Sequence, residues 1–573
     1  MKASRLSFIL LAGFILASFG LFRIQILKGA YYRVLSEKNR IRVIYLEASR
    51  GNILDRNNKP LISNRLSFNC SVITREARQS IKRSCKILAP ILGVSAEELE
   101  KRFRKSKPGV FNTVLMAEDI NASKAIEIEE RLEDLPGFII ETRPLREYPN
   151  EKSAAHLTGY IGPITQQEAD FLDAYGYREA DWLGRDGLEK MYESYLRGQS
   201  GGLQMEVDSR GRFLRALGLK EPREGKDIQL TIDSRLQVFV QDLLISQKGA
   251  VILMNLGDGG ILSMNSSPSF DPNLFASTEG RKGVGKYLRG AGAPMVNRGI
   301  RGQYPAGSIF KIITALAGLE SKKVSALSTF NCPGYTAVGG KIFHCWRETG
   351  HGPQRMSEAF AHSCNVYFYN VGLMTGINFL TQKTLEFGFS KLTGVDLPGE
   401  KGGFVPSREW KQRSQQQGWY DGETVNLAIG QGYLQVTPVQ ALVMIAAIAT
   451  DGHLFKPHLI DKIEGVRVAE KHARYLNIDA AHLKAVKEGL DAVVNSDTGT
   501  GRLARAAGVH IAGKTGTAQS GQDKTHAWFV GFAPEENPKV ALVVFVENGG
   551  RGGVVAAKLA GAIFQKLKET SYL

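Results

Sequence analysis

The chain has 573 residues, 43% of them apolar and 23% charged, with a formal net charge of +16. That length calls for several domains with room for a large core, and the balance is that of ordinary globular domains. A basic chain suits anionic lipid, an anionic wall polymer or nucleic acid. No basic–aromatic cluster or recognition motif supports nucleic acid, and a plainly solvated positive surface stays open.

Residues 6–22 are almost wholly apolar and uncharged, and Ile24, Ile26 and Leu27 extend the run past Arg23. That is long enough to cross a bilayer. No small-x-small cleavage site follows, which favours an uncleaved anchor over a signal peptide. Lys2 and Arg5 favour a cytoplasmic N-terminus, but Arg23 and Lys28 flank the other end, so charge bias leaves the orientation open. No second long apolar run follows, so the rest of the chain is expected on one side of the membrane.

Residues 31–45 are amphipathic and basic and lead away from the anchor. Residues 50–56 precede a turn-rich stretch, and short strands are expected there. Ser95 and Glu98 suit a capping box ahead of Leu99 and Phe103. A helix over 122–135 should stop at Pro136-Gly137 and give way to a strand over 138–142. Gly184 to Glu189 opens another segment, with Met191, Tyr192, Tyr195 and Leu196 as its apolar face. No nucleophile constellation lies in this region, which reads as a pedestal and docking surface.

The second region begins near Asp227. A helix is expected over 234–245. Strands over 250–255 and 261–264 flank Gly257-Asp258-Gly259-Gly260, a hairpin signal. Strands over 527–532 and 540–546 and a helix over 554–568 close the chain. Strands at both ends with helices between predict one α+β domain with a central antiparallel sheet. The expected division is an anchor with a short cytoplasmic tail (1–28), an elongated strand-containing pedestal (29–226) and a catalytic domain (227–573).

The chemistry centres on Tyr304-Pro305-Ala306-Gly307-Ser308-Ile309-Phe310-Lys311. Pro305 and Gly307 break preceding structure, and the apolar run after them predicts a helix starting near Ser308. Ser308 and Lys311 then share a face. A serine hydroxyl needs a base, and lysine serves only when burial or a helix terminus lowers its pKa. Alone, the pair reads as an ordinary N-cap. Ser363-Cys364-Asn365 and Lys514-Thr515-Gly516-Thr517 change that. Each has a bland reading, as turn residues or a strand end, but the trio in this order occurs in penicillin-binding proteins and class A β-lactamases.

Asp55-Arg56, Gly187-Leu188-Glu189, the three motifs and Gly430-Gln431-Gly432 follow one another. Together they resemble a class B penicillin-binding protein over nearly the whole chain. Residues 526–534, and Cys345-Trp346 ahead of Gly350-His351-Gly352, resemble the penicillin-binding protein 2 branch. The resemblance implies a D,D-transpeptidase that cross-links peptidoglycan stem peptides outside the cytoplasmic membrane and is acylated by β-lactam antibiotics. It implies partnership with a SEDS-type glycosyltransferase and the elongation complex.

The roles it implies are these. Ser308 attacks the penultimate D-alanine carbonyl while neutral Lys311 takes its proton. Backbone N–H groups of Ser308 and Thr517 form the oxyanion hole, each donor contributing about 3 kcal/mol. Ser363 relays a proton, Asn365 holds the Lys311 amine and the substrate amide, and Lys514 disfavours a second ammonium. Thr515 and Thr517 offer hydroxyls to the terminal carboxylate, and Gly516 leaves room for an extended peptide. Hydrolytic readings (a D,D-carboxypeptidase or β-lactamase) and non-enzymatic ones (a β-lactam sensor or a scaffold) compete. The long pedestal and anchor weigh against a free β-lactamase, the short N-terminal tail against a sensor and the complete trio against a pure scaffold.

Cys332, Cys345 and Cys364 fall in one short stretch around His351, with Cys70 and Cys85 far away. Thiolates and an imidazole suit a structural zinc, although the spacing is not that of a standard finger. Some penicillin-binding proteins 2 hold zinc here, and by that resemblance Cys332, Cys345, His351 and Cys364 are the ligands. A Cys332–Cys345 disulfide, inert buried thiols, or His344 in place of His351 are the alternatives.

Overall fold

A computed structural model describes residues 2–105, 113–177, 181–207, 213–277, 280–468, 473–521 and 524–573. The chain forms two compact units, Met1–Gly51 with Arg197–Lys226, and Asn52–Leu196 with Asp227–Leu573.

The first unit opens with the helix Lys2–Phe22, which runs into a π turn, Arg23–Leu27. The span Ser7–Leu27 is long and apolar enough to cross a membrane, and Phe8, Phe14 and Leu16 are each over 70% exposed. Side chains this apolar, left uncovered by protein, suit a single-pass anchor in lipid. The helix Gly29–Arg40 follows. Most side chains of the basic face expected over 31–45 lie outside the described residues. Strand Ile41–Leu46 then pairs antiparallel with Gly201–Val207, which pairs with Phe213–Lys220.

In the second unit, the long strand Pro60–Ile73 pairs with Thr113–Ile120 on one side and Phe138–Glu147 on the other. Helices Ile81–Leu92, Ala96–Lys105 and Ala122–Glu129 accompany them. Cys70, Cys85, Leu88, Leu99, Met116 and Ile128 build a separate apolar core there. The helix expected to reach 135 stops at Glu129, and a 3₁₀ turn, Leu132–Asp134, ends the segment. Ser95 caps its helix by accepting from Glu98 N at 3.2 Å, whereas the Glu98 carboxylate pairs with Arg102. Beyond Glu189 the expected apolar face is only partly buried. Leu188 and Leu196 are core, but Met191 and Tyr195 are exposed.

The same sheet reaches into the second half of the chain. Strand Ile53–Leu54 pairs parallel with Ile228–Leu230, which pairs antiparallel with Ile460–Ile463. A buried ion pair, Arg146 to Glu189 at 2.7 Å, ties strand Phe138–Glu147 to the helix Gly187–Met191.

The second sheet has five antiparallel strands in the order Ile261–Ser267, Gly249–Asn255, Val540–Val546, Thr525–Ala533, Ala512–Gln519. Val540–Val546 is seven apolar residues, all buried, as a strand covered on both faces requires. The fully buried helix Pro438–Ala449 and the C-terminal helix Ala556–Glu569 pack on it. Among the described residues, Ala512–Gln519 ends this sheet and pairs with a strand on one side only.

Candidate active site

The nucleophile motif forms a 3₁₀ turn, Gly307–Phe310, and the α-helix begins only at Lys311. The expected helix start is therefore displaced by one turn. The cause is Gly307, held at φ +56, whose N–H donates to Gly430 O at 2.8 Å. A Cβ on Gly430 would lie 2.2 Å from Gly307 O, so only glycine lets the two backbones meet. Trp528 Nε1 donates to Pro305 O at 3.1 Å and pins the turn to the sheet. Ser308 is half-buried, and among the described residues its hydroxyl has no hydrogen-bond partner.

Lys311 is fully buried. Its Nζ lies 2.8 Å from Ser363 O, 2.8 Å from Asn365 Oδ1 and 3.2 Å from Ser363 Oγ. Burial pulls its pKa down to about 8, against a small upward pull from the Cys364 and Cys345 thiols. A neutral amine donates two hydrogen bonds and accepts one. The carbonyl and the amide oxygen can only accept, so in the neutral state the Ser363 hydroxyl donates to Nζ. From the other side, Lys514 Nζ donates to Ser363 Oγ at 3.0 Å and to Thr515 O at 3.0 Å. Burial, and then the charge of Lys311, hold the Lys514 pKa well below the ordinary lysine value. One serine hydroxyl thus bridges two buried amines. Ser363 itself sits at φ +53, a costly conformation for a residue with a side chain. It is held by Ser363 N to Phe360 O at 3.0 Å and Cys364 N to Ala359 O at 2.9 Å.

Lys514, Thr515, Gly516 and Thr517 lie on the edge strand Ala512–Gln519, against the nucleophile turn. Lys514 and Thr515 are buried, and Thr517 is exposed. Thr515 Oγ1 donates to Thr500 Oγ1 at 3.0 Å, and Gly552 N donates to Thr517 Oγ1 at 3.1 Å. A Cβ on Gly516 would sit 3.0 Å from Trp528 Cβ and 3.1 Å from Ile309 Cγ2. Close packing against the nucleophile turn therefore gives a further reason for glycine there.

Beside Ser363, the Sγ atoms of Cys332, Cys345 and Cys364 and a ring nitrogen of His351 all lie within 4.8 Å of one another. His351 Nδ1 is 3.6 Å from both Cys332 Sγ and Cys345 Sγ. That is about the edge of a tetrahedron with ~2.2 Å metal–ligand bonds, so the donor set and its spacing fit zinc. All three thiols are buried and free. The Cys364 thiol and the His351 ring donate to the Cys345 sulfur and draw its pKa down. His344 is exposed, outside the cluster, and Cys70 and Cys85 are buried free thiols. Cys345 Sγ accepts from Asn365 N at 3.3 Å, and Cys364 caps the helix Asn365–Thr375 by accepting from Tyr367 N at 3.5 Å.

Two family models match the chain. One, described as the penicillin binding protein transpeptidase domain, matches residues 249–565, and the other, the penicillin-binding protein dimerisation domain, matches residues 45–230. The chain belongs to the penicillin-binding protein transpeptidase family. The peptidoglycan D,D-transpeptidase MrdA of Acinetobacter baumannii is 34% identical, over 94% of this chain and 83% of that protein. The complex of penicillin-binding protein 2 with MreC from Helicobacter pylori superposes with a TM-score of 0.82 at 30% identity, covering 93% of this chain and all of that one. A chain from a peptidoglycan synthase complex that coordinates polymerization and crosslinking gives 0.76 at 29% identity, covering 98% and 97%. With both domains and these relatives, this penicillin-binding protein is of class B and of the penicillin-binding protein 2 kind.

Sequence reasoning named Ser308, Lys311, Ser363 and Lys514, and the structure brings the last three together, one turn from the first. It quoted Gly430 only as part of the resemblance, without the backbone contact to Gly307. It missed Trp528 as a clamp and Thr500 as the partner of Thr515. These depend on contacts far apart in sequence, and the one local sign was the run of glycines around Thr500.

Proposed function

We infer that this protein is a serine D,D-transpeptidase that cross-links peptidoglycan stem peptides during cell-wall elongation, through an acyl-enzyme on Ser308. The observation that carries the reading is the buried Lys311–Ser363–Lys514 bridge one helical turn from Ser308. Ser308 Oγ forms a bond to the penultimate D-alanine carbonyl carbon as Lys311 Nζ takes its proton. The tetrahedral intermediate collapses and the C–N bond to the terminal D-alanine breaks. Ser363 passes the proton from Lys311 to the leaving amine. An acceptor amine then attacks the ester and returns the Ser308 proton by the reverse path. Asn365 orients the Lys311 amine, and Lys514 keeps a second positive charge from settling there. Backbone N–H groups of Ser308 and Thr517 receive the oxyanion.

Cys332, Cys345, His351 and Cys364 would hold a structural zinc. When bound, it supplies rigidity, fixing the loop that carries Ser363 and the N–H of Asn365. β-Lactams acylate the same serine. The apolar span Ser7–Leu27 supports a single-pass anchor, and on this reading the catalytic domain lies on the outer side of the cytoplasmic membrane, where its substrate is. The likeness to a penicillin-binding protein 2 solved with MreC, and to a synthase complex, supports elongation-complex partners; a SEDS-type glycosyltransferase is the partner the family resemblance implies.

Mass spectrometry after exposure to penicillin tests the reading. The expected result is one adduct, on Ser308, long-lived, and absent from Ser308→Ala. An adduct on another residue, or wild-type labelling of Ser308→Ala, would overturn it.

A further inference from the structure

On the reading that the catalytic domain lies outside the cytoplasmic membrane, its thiols meet an oxidising compartment, where neighbouring cysteines pair. Three sulfurs and a ring nitrogen of His351 lie within 4.8 Å of one another. The sulfurs are not equivalent. The Cys364 thiol donates directly to the Cys345 sulfur, whereas the hydrogen bond of Cys332 goes to His351 Nδ1, 3.6 Å away. Cys345 and Cys364 are therefore the pair already in sulfur-to-sulfur contact.

The cover over them is thin. His351 Nε2 is buried and, among the described residues, has no hydrogen-bond partner. A histidine that ligates a metal is ordinarily oriented through that second nitrogen. Here the imidazole is flanked by rings instead, stacked on His362 at 5.5 Å between centroids and tilted against Trp346 at 5.3 Å. His351 is half-buried and Trp346 is 57% exposed, so a small oxidant has a short path to the sulfurs.

Both sulfurs also hold the catalytic loop. Cys345 Sγ accepts from Asn365 N at 3.3 Å, and Cys364 Sγ from Tyr367 N at 3.5 Å. Cys364 directly follows Ser363, whose backbone stands at φ +53. A disulfide draws its two sulfurs to about 2.05 Å, well inside any hydrogen-bonded contact. Moving them displaces Ser363 and Asn365, the two residues bonded to Lys311 Nζ.

We propose that Cys345 and Cys364 form an oxidation site, a dithiol that a peroxide converts to a disulfide, releasing the metal and slowing acylation at Ser308. The Cys345 sulfur attacks one peroxide oxygen, the O–O bond breaks, and a sulfenic acid and one water result. The Cys364 sulfur then displaces a second water from it. Two thiols and one peroxide thus give one disulfide and two waters. The disulfide takes two of the four donors from the zinc site, so metal content and oxidation state change together. This rests on the transpeptidase and zinc readings and names a regulation of that same site.

The test titrates full-length, zinc-loaded protein in detergent with hydrogen peroxide. Lys341, Arg347 and Arg355 put the three cysteines on separate tryptic peptides, so mass spectrometry reads the linkage directly. The expected product is a Cys345–Cys364 link with Cys332 still open to iodoacetamide. About one zinc per link should pass to a chelating dye, and acylation of Ser308 by penicillin should slow about tenfold or more. Dithiothreitol followed by zinc should restore the rate, and Cys332→Ser should form the same link. A Cys332–Cys345 link, sulfinic acids with no link, or a Cys345–Cys364 link that leaves acylation unchanged would each overturn the proposal. Zinc content and Ser308 labelling are measured before peroxide is added, so a failure of the zinc or transpeptidase reading cannot be mistaken for a failure of the dithiol.

Discussion

A buried lysine serves as a base only over the pH range where it is neutral. Burial brings Lys311 to about 8, so at lower pH most of the protein carries an ammonium and the Ser308 proton has nowhere to go. The rate of acylation by penicillin should therefore rise about tenfold per pH unit below 8, bend near 8 and level above it. A flat profile between pH 6 and 9, measured by stopped-flow or quenched labelling, would remove Lys311 from the role of base. The stability effect has the same sign. Between about 8 and the ordinary lysine value of 10.5, the unfolded chain binds the proton and the native one does not. Stability gained from this group thus rises with pH across that window, and below it the native state must bury a charge. At this scale, reading the sequence picked out Lys311 and Lys514, which the structure buries and joins through Ser363. It did not find Thr500, whose partners lie 15 and 139 residues away along the chain.

Elements set how firmly those residues are held. Ser363 keeps a strained backbone because the loop around it is fixed by the Cys345 sulfur at Asn365 N, by the Cys364 cap, and by Trp346 Nε1 donating to His362 O at 3.0 Å. A zinc ion across the four donors would lock this arrangement. Purified protein should carry about one zinc per chain, and Cys345→Ser or chelation should remove it. A shift of about 1 Å in a catalytic group can cost on the order of 100-fold, so acylation should slow by one to two orders of magnitude. Metal-free protein that acylates at full rate would refute the zinc assignment. Strands and helices with a plain period were legible: Val540–Val546 matches its apolar run, and Ser234–Leu243 its helical spacing. The 3₁₀ turn at Ser308 was not, because Gly430 forces it from 123 residues away, as Gly307 N to Gly430 O records. The two- and three-residue strands Ile53–Leu54 and Ile228–Leu230 are too short to show any alternation, so their parallel pairing was invisible.

At the scale of the whole molecule, the residues proposed for catalysis are complete long before the fold is. Ser308, Lys311, Ser363, Asn365, Lys514 and Thr517 all precede residue 534. Yet Val540–Val546 lies between Gly249–Asn255 and Thr525–Ala533 in the sheet, bonded to both. Without it, among the described residues, no strand pairing joins the N-terminal hairpin of the sheet to the strand pair carrying Lys514. The C-terminal helix Ala556–Glu569, which packs on Thr525–Ala533 and Val540–Val546 with Ile563 and Phe564 buried, would go with it. Burying the fully enclosed side chains of that strand and helix contributes about 1.5–3 kcal/mol for each large apolar residue, far more together than a domain's net stability. A protein ending at Ala533 should therefore show no cooperative thermal transition and no penicillin label, although every group proposed to touch substrate is still encoded. Stoichiometric labelling of Ser308 in that truncation would mean the site assembles without its central strand, and the closure of the sheet by both ends of the domain would have no part in positioning the chemistry.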